Sequence, residues 1–135
     1  MTQVAKLSSL KSNLQREADG DWVPTTFFPE TEIRYQVRSL NYAPYRTARN
    51  LAEAKLNRKY GFGRIPPEEM TKMKGRLLAQ HILLGWSGFD VEYTKDVALT
   101  TLADPEYRDV VNDIETSAQQ LVNSEVEFTE AAEKN

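Results

Sequence analysis

Apolar positions change their period along this chain, and the changes divide it into segments. Val4, Leu7, Leu10 and Leu14 are spaced by three, three and four residues, which fits a short amphipathic helix that "ADGD" at 18–21 brings to a stop. From residue 32 to 39 the period falls to two. Ile33, Tyr35 and Val37 alternate with Glu32, Arg34, Gln36 and Arg38, the signature of a half-buried strand. Its partner is expected near Trp22 and Val23, confined to an edge or a loop by Pro24 and Pro29. A small β-hairpin near 22–39 follows.

Beyond the hairpin the period becomes helical. Pro44 suits a first helical turn, and Tyr45, Ala48, Ala52, Leu56 and Tyr60 share one face until Gly61 ends the run. A second helix enters at Pro66 and Pro67, with Glu68 and Glu69 complementing its dipole. Its apolar stripe is Met70, Met73, Leu77, His81 and Leu84, widened by Leu78 and Ile82. Gly85 then fits the left-handed position just past a helix end. Thr94 can cap a brief helix carrying Val97, Ala98, Leu99 and Leu102. The run Asp104-Pro105-Glu106 opens the last one, with Tyr107, Val110, Val111, Ile114, Ala118 and Leu121 expected on its buried side. The expected fold is mainly α: a compact helical domain over 1–122 with a small N-terminal β-hairpin, followed by a mobile acidic C-terminal tail, 123–135.

Charge sharpens this division. The net charge is only -3, yet residues 46–76 carry nine basic and three acidic side chains, and residues 90–135 carry twelve acidic and three basic ones. Such polarity closes within one molecule, or it runs between molecules as a heterologous contact that makes rings or spirals. The candidate basic face is Arg46, Arg49, Lys55, Arg58 and Lys59. The candidate acidic face is Asp104, Glu106, Asp109 and Asp113. Met70, Met73, Trp86 and Phe89 are candidates for an apolar patch that grips a client or a neighbour.

Residue chemistry narrows the function classes. Without cysteine there is no disulfide, thiolate nucleophile or zinc finger, and one histidine cannot build a histidine-rich metal site. No stretch reaches the 18 or so apolar residues of a membrane span, and the first residues lack a signal-peptide core, so an intracellular protein is expected. "GFGR" at 61–64 lacks the lysine and preceding strand of a phosphate loop. His81 falls on an apolar helical stripe with no serine elbow in the chain, which reads as a packed or interface histidine. Asp109 and Asp113, one turn apart, could hold a magnesium ion, although a solvated acidic face is the simpler reading. No catalytic, cofactor or metal site is expected. Clustered cations beside Tyr45 and Tyr60 raise a rival function, a small nucleic-acid-binding regulator using the basic helix 44–60. The isoelectric point near 5.3 argues against it.

The stretch "HILLGWSGFDVEYTKDVALTTLADPEYRDVVNDIETSA" resembles a known pattern: an apolar run ending in Leu-x-Gly-Trp, a Gly-containing loop, a Tyr-Thr helix start, then Asp-Pro-Glu-Tyr opening a last helix. Together with "DGDWV" and "EIRYQVRSLNYAPYRTAR" it is similar, over roughly residues 7–122, to the tail assembly chaperones of long-tailed, non-contractile bacteriophages. The resemblance implies a non-enzymatic role in the host bacterial cytoplasm. Such proteins coat the tape measure protein, recruit tail tube subunits and are absent from the mature virion. Many also have a longer form made by ribosomal frameshifting. Head-to-tail self-association into a ring or spiral would suit that role. Trp86 and Phe89 are then either a plug sealing the core beneath the turn or an anchor for a neighbour, the plug being favoured because glycine-flanked loop aromatics tend to fold back.

Overall fold

A computed structural model of the chain describes residues 4–134, with side chains described for residues 4–124. A 3-10 turn at Leu7–Leu10 and a short helix α1, Leu14–Asp19, lead into strand β1, Asp21–Pro24. Strand β2, Arg34–Val37, precedes the long helix α2, Ala43–Tyr60, and helix α3, Pro67–Leu77. A π-helical turn at Leu78–Ile82 passes into strand β3, Leu83–Ser87. Helix α4, Lys95–Leu102, and helix α5, Arg108–Lys134, complete the chain. The fold is mainly α with a small antiparallel sheet.

The hairpin forms where the period-2 pattern places it, with Val23 opposite Tyr35 and Trp22 opposite Gln36. Tyr35 and Val37 are fully buried while β1 sits at the sheet's edge, where Pro24 needs no ladder partner. Strand β3 was not expected. The second helix was read through to Leu84 and Gly85, but the backbone widens into the π-turn and Leu83–Ser87 pairs antiparallel with β2, leaving β2 central. The unpaired side of β2 supplies the reason: Arg38 N donates to Ile82 O at 2.9 Å, and the ladder continues with Gln36 opposite Gly85. Leu84 is the extra residue of a bulge, since Val37 pairs with Leu83. Gly85 therefore lies in a strand instead of capping a helix. Gly88, with φ +88°, is the residue that reverses the chain, and a Cβ there would overlap the Glu32 carbonyl.

The N-terminal reading is corrected as well. Residues 4–14 do not form one helix: a 3-10 turn at Leu7–Leu10 lies between extended Lys6 and Lys11, α1 starts only at Leu14 and stops at Gly20 as expected, and Leu7 and Leu14 are 84% and 72% exposed. Behind the row, Arg38 fastens α1 to the π-turn, donating through Nε to Ala18 O at 2.6 Å and through Nη1 to His81 O at 3.0 Å.

One core unites the sheet's inner face with α3, the π-turn, α4 and α5, centred on Tyr35, Leu78, Ile82, Leu102, Val111 and Ile114. Thr94 caps α4 by accepting from Val97 N, and Asp104 accepts from Glu106 N, as the capping pattern implies. Tyr107 is exposed instead of buried, because Pro105–Tyr107 forms a 3-10 turn ahead of α5. The segment expected as a tail, 123–135, carries α5 as far as Lys134, and its side chains from residue 125 lie outside the described residues.

Candidate interaction surfaces

Asp113 changes the picture of the acidic half. Its side chain is 0% exposed and accepts four hydrogen bonds: from Thr25 Oγ1 at 2.5 Å, Tyr35 OH at 2.6 Å, and the backbone N–H groups of Thr26 and Phe27, each at 3.0 Å. It is neither part of an acidic face nor half of a carboxylate pair with Asp109. It binds the β1–β2 loop to α5, a link reinforced by Gln120 Nε2 donating to Thr26 Oγ1 at 2.8 Å. Of the remaining acidic candidates, Asp104 serves as a cap, while Glu106 and Asp109 are exposed; Asp109 lies 3.7 Å from Arg108.

Burial and the Asp113 carboxylate together push the Tyr35 hydroxyl above its ordinary range, and burial does the same to Tyr45. Both tyrosines therefore stay neutral in the fold at a pH where the unfolded chain ionises them. A folded pKa above the unfolded value gives stability that is intact below about pH 10 and is lost as pH rises beyond it. Urea midpoints are expected to stay level to about pH 10 and then fall, each tyrosine contributing up to about 1.4 kcal/mol per pH unit. Tyr45→Phe should make that decline shallower, and an unchanged slope would count against the assignment.

The basic residues fall into two groups. Arg49 is engaged within the molecule: Nε lies 3.1 Å from Glu53, Nη1 donates to Tyr45 OH at 3.2 Å, and Glu115 is 3.8 Å away. Glu115 also receives Lys74 Nζ at 3.2 Å, so the two cations tie α2 and α3 to α5. These pairs are partly solvated, and each contributes modestly. Arg46, Lys55, Arg58 and Lys59 are exposed. Lys55 and Lys59 border a groove between α2 and α3 whose other edge carries Lys72 and Arg76 and whose floor includes Leu56, Met73 and Leu77. Glu69, 3.5 Å from Lys72, is the acidic side chain lining it. Lys72 and Arg76 were counted in the basic stretch 46–76 but left out of the candidate basic face, although their i, i+4 spacing on the second helix was a signal for a shared face.

A separate apolar hollow lies at the α2–α3 turn. Phe62, in the α2–α3 turn, is 91% exposed and lines a hollow with Ile65 and Met70. Phe62 was missed because "GFG" was judged only as a phosphate loop. Met73 is buried, so of the two methionines only Met70 is an open contact point.

Trp86 and Phe89, both half-buried, pack in an aromatic cluster and also line an open groove. The Trp86 indole donates to Val91 O at 2.8 Å, its ring meets Phe89 at 5.2 Å and Tyr93 at 5.4 Å edge-on, and Phe89 approaches Tyr35 at 6.2 Å. A shallow apolar groove remains beside them, formed with Val91, Val97, Tyr107 and Val110. His81 is half-buried; burial, then Lys95 and Arg38, lower its pKa, which keeps the imidazole neutral at pH 7. Among the described residues there is no group of three or more His, Cys, Asp or Glu placed to hold a metal ion, and no helix long and apolar enough to cross a membrane.

A family model described as YdaY prophage protein matches residues 40–135. The chain belongs to that family. Its match spans α2 to α5 and therefore contains both grooves, while β1 and β2, which complete the sheet for β3, precede it. No curated protein and no solved structure matches this YdaY-family chain. Membership establishes a phage origin.

Proposed function

We propose that this YdaY-family chain is a tail assembly chaperone that holds the tape measure protein soluble, recruits tail tube subunits around it, acts in the host cytoplasm and leaves before the particle is complete. The observation that carries the reading is the α2–α3 groove. Its floor of Leu56, Met73 and Leu77 and its cations Lys55, Lys59, Lys72 and Arg76 suit an amphipathic helix with an acidic flank, and the exposed Phe62 and Met70 in a separate hollow at the α2–α3 turn offer a further apolar contact. A helical client of great length offers that surface repeatedly. Phage origin and the resemblance of residues 7–122 to tail assembly chaperones support the same reading. On it, a frameshifted longer product would add a second module for the tube subunit.

Coexpression tests it. With the wild-type chain, a tape measure protein that is insoluble alone is expected to move into the soluble fraction. Phe62→Ser with Met70→Ser, or Lys55→Glu with Lys59→Glu, should return most of it to the pellet while leaving the chaperone folded, because these side chains stand outside the core. A client equally insoluble with and without the wild-type chain overturns the reading. The rival nucleic-acid regulator predicts instead that the chain retards duplex DNA at low salt.

A further inference from the structure

The α2–α3 groove is patterned beyond its net positive charge. Lys55 and Lys59 lie four residues apart on α2, and Lys72 and Arg76 four apart on α3, so each rim presents two cations one helical turn apart. The apolar floor of Leu56, Met73 and Leu77 runs between them. That floor has one marked end. Glu69, Met73 and Leu77 follow one another along α3 at steps of four, so the Glu69 carboxylate stands in line with the floor at the end nearest the α2–α3 turn. Its 3.5 Å contact with Lys72 is a partly solvated pair, which leaves the carboxylate open to a second cation. Beyond α3 the lining ends at the uncharged Gln80, in the π-turn.

We propose that the groove selects, as its client, a helix whose apolar stripe is bordered by carboxylates on both sides and ends in a lysine or arginine that meets Glu69. The inference rests on the client reading of this groove and adds which helical segments qualify and which way they lie. Such a helix packs as the third member of a bundle with α2 and α3. Its two acidic flanks face the two cationic rims, as charged positions border the seam of a coiled coil. Carboxylates on one flank alone leave one pair of cations, Lys55 with Lys59 or Lys72 with Arg76, facing neutral surface. A carboxylate at the end of the stripe meets Glu69 as a like charge, which discriminates against the wrong register. Gln80 sets no such mark at the other end, so the client's cation decides the direction in which the segment lies.

Synthetic helical peptides of about 20 residues, fluorescently labelled and titrated with the full chain at low salt, test the pattern. The first carries a leucine stripe, glutamates on both flanks and a lysine at one end of the stripe. The second has glutamine for glutamate on one flank, and the third has glutamate for the lysine. By anisotropy the first is expected to bind roughly tenfold tighter than the second, which lacks two exposed ion pairs, and roughly fivefold tighter than the third. Glu69→Lys should reverse the preference between the first and third peptides, and Glu69→Gln should remove it. Glu69 lies outside the core, so both variants keep the fold. Equal binding of the first and second peptides overturns the two-flank pattern, and a preference for the first over the third that survives Glu69→Lys overturns the role of Glu69. Binding by none of the peptides overturns the whole proposal. Peptides that fail while coexpression solubilises the client leave the chaperone reading standing, and peptides that bind while the client stays insoluble remove that reading alone.

Discussion

Asp113→Ala is expected to destabilise the protein by about 4 kcal/mol, because removing one partner from a buried charged network leaves the others uncompensated. The donors left without an acceptor are the hydroxyls of Thr25 and Tyr35 and the N–H groups of Thr26 and Phe27. Losing the carboxylate also removes its desolvation cost, which holds the net effect well below the sum of four separate bonds. Against a typical domain stability of about 5–15 kcal/mol this is a large fraction, equivalent to a fall in Tm of roughly 15 °C. Asp113→Asn should cost less. Its remaining oxygen can accept both backbone N–H groups, and its amide can donate to the two hydroxyl oxygens after they rotate. Urea unfolding followed by tryptophan fluorescence separates the variants; an alanine variant within about 1 kcal/mol of wild type would show that water replaces the carboxylate.

The Asp113 network also explains why the sequence divided the molecule only in part. Helices α2 to α5 were legible because their starts carry Pro44, Pro67, Thr94 and Asp104 and their apolar positions keep a 3.6 period. Strand β3 was not. "HILLGWS" is a short apolar run whose one breaker, Gly85, was read as a helix stop, and such a run suits a buried strand as well as a helix end. What decides between them is a partner remote in sequence, the open side of β2. The N-terminal row failed for a local reason: its spacing is helical, but Ser8, Ser9, Ser12 and Asn13 favour turns and caps, and the backbone makes a 3-10 turn and then a cap at Asn13 instead of one continuous helix.

Charge sums hid the roles of individual acids and bases. Asp113 was counted with an acidic face, yet it lies three residues after Val110 and four before the buried Ser117, on the side of the helix that carries Ile114. That position was the available signal that the carboxylate points inward. Arg49 was counted with a basic face, although Glu53 one turn later was a ready partner on the same helix. Once Asp113 and Arg49 are assigned to the fold, a smaller set of charges remains free to act on partners: the cations of the α2–α3 groove and the carboxylates beside Trp86 and Phe89. The two sets line different grooves instead of forming one basic and one acidic face.

Gly75→Ala sets two effects of opposite sign against each other, and packing should win. In an exposed helix interior, alanine in place of glycine stabilises by about 1 kcal/mol. Gly75 is instead the point where α3 meets the end of α4. A Cβ there would collide with the carbonyl oxygen of Leu102 and come within 2.6 Å of its carbonyl carbon. Both atoms are backbone, and Leu102 is itself fully buried, so neither a rotamer change nor a small local shift relieves the overlap. Overpacking of this kind costs about 1–3 kcal/mol and occasionally more, and a clash with backbone belongs at the upper end. The expected net loss is about 3 kcal/mol, or roughly 10 °C in Tm. Gly63→Ala is the control: its φ of +75° strains any side chain, but no atom lies within 4 Å of the new Cβ. That variant should lose only about 1 kcal/mol, the cost of a left-handed backbone alone. If thermal unfolding ranks the pair the other way, α3 and α4 do not cross as closely as the Leu102 carbonyl requires. The β3 register and the groove beside Trp86 and Phe89, which depend on where α3 ends, would then have to be redrawn.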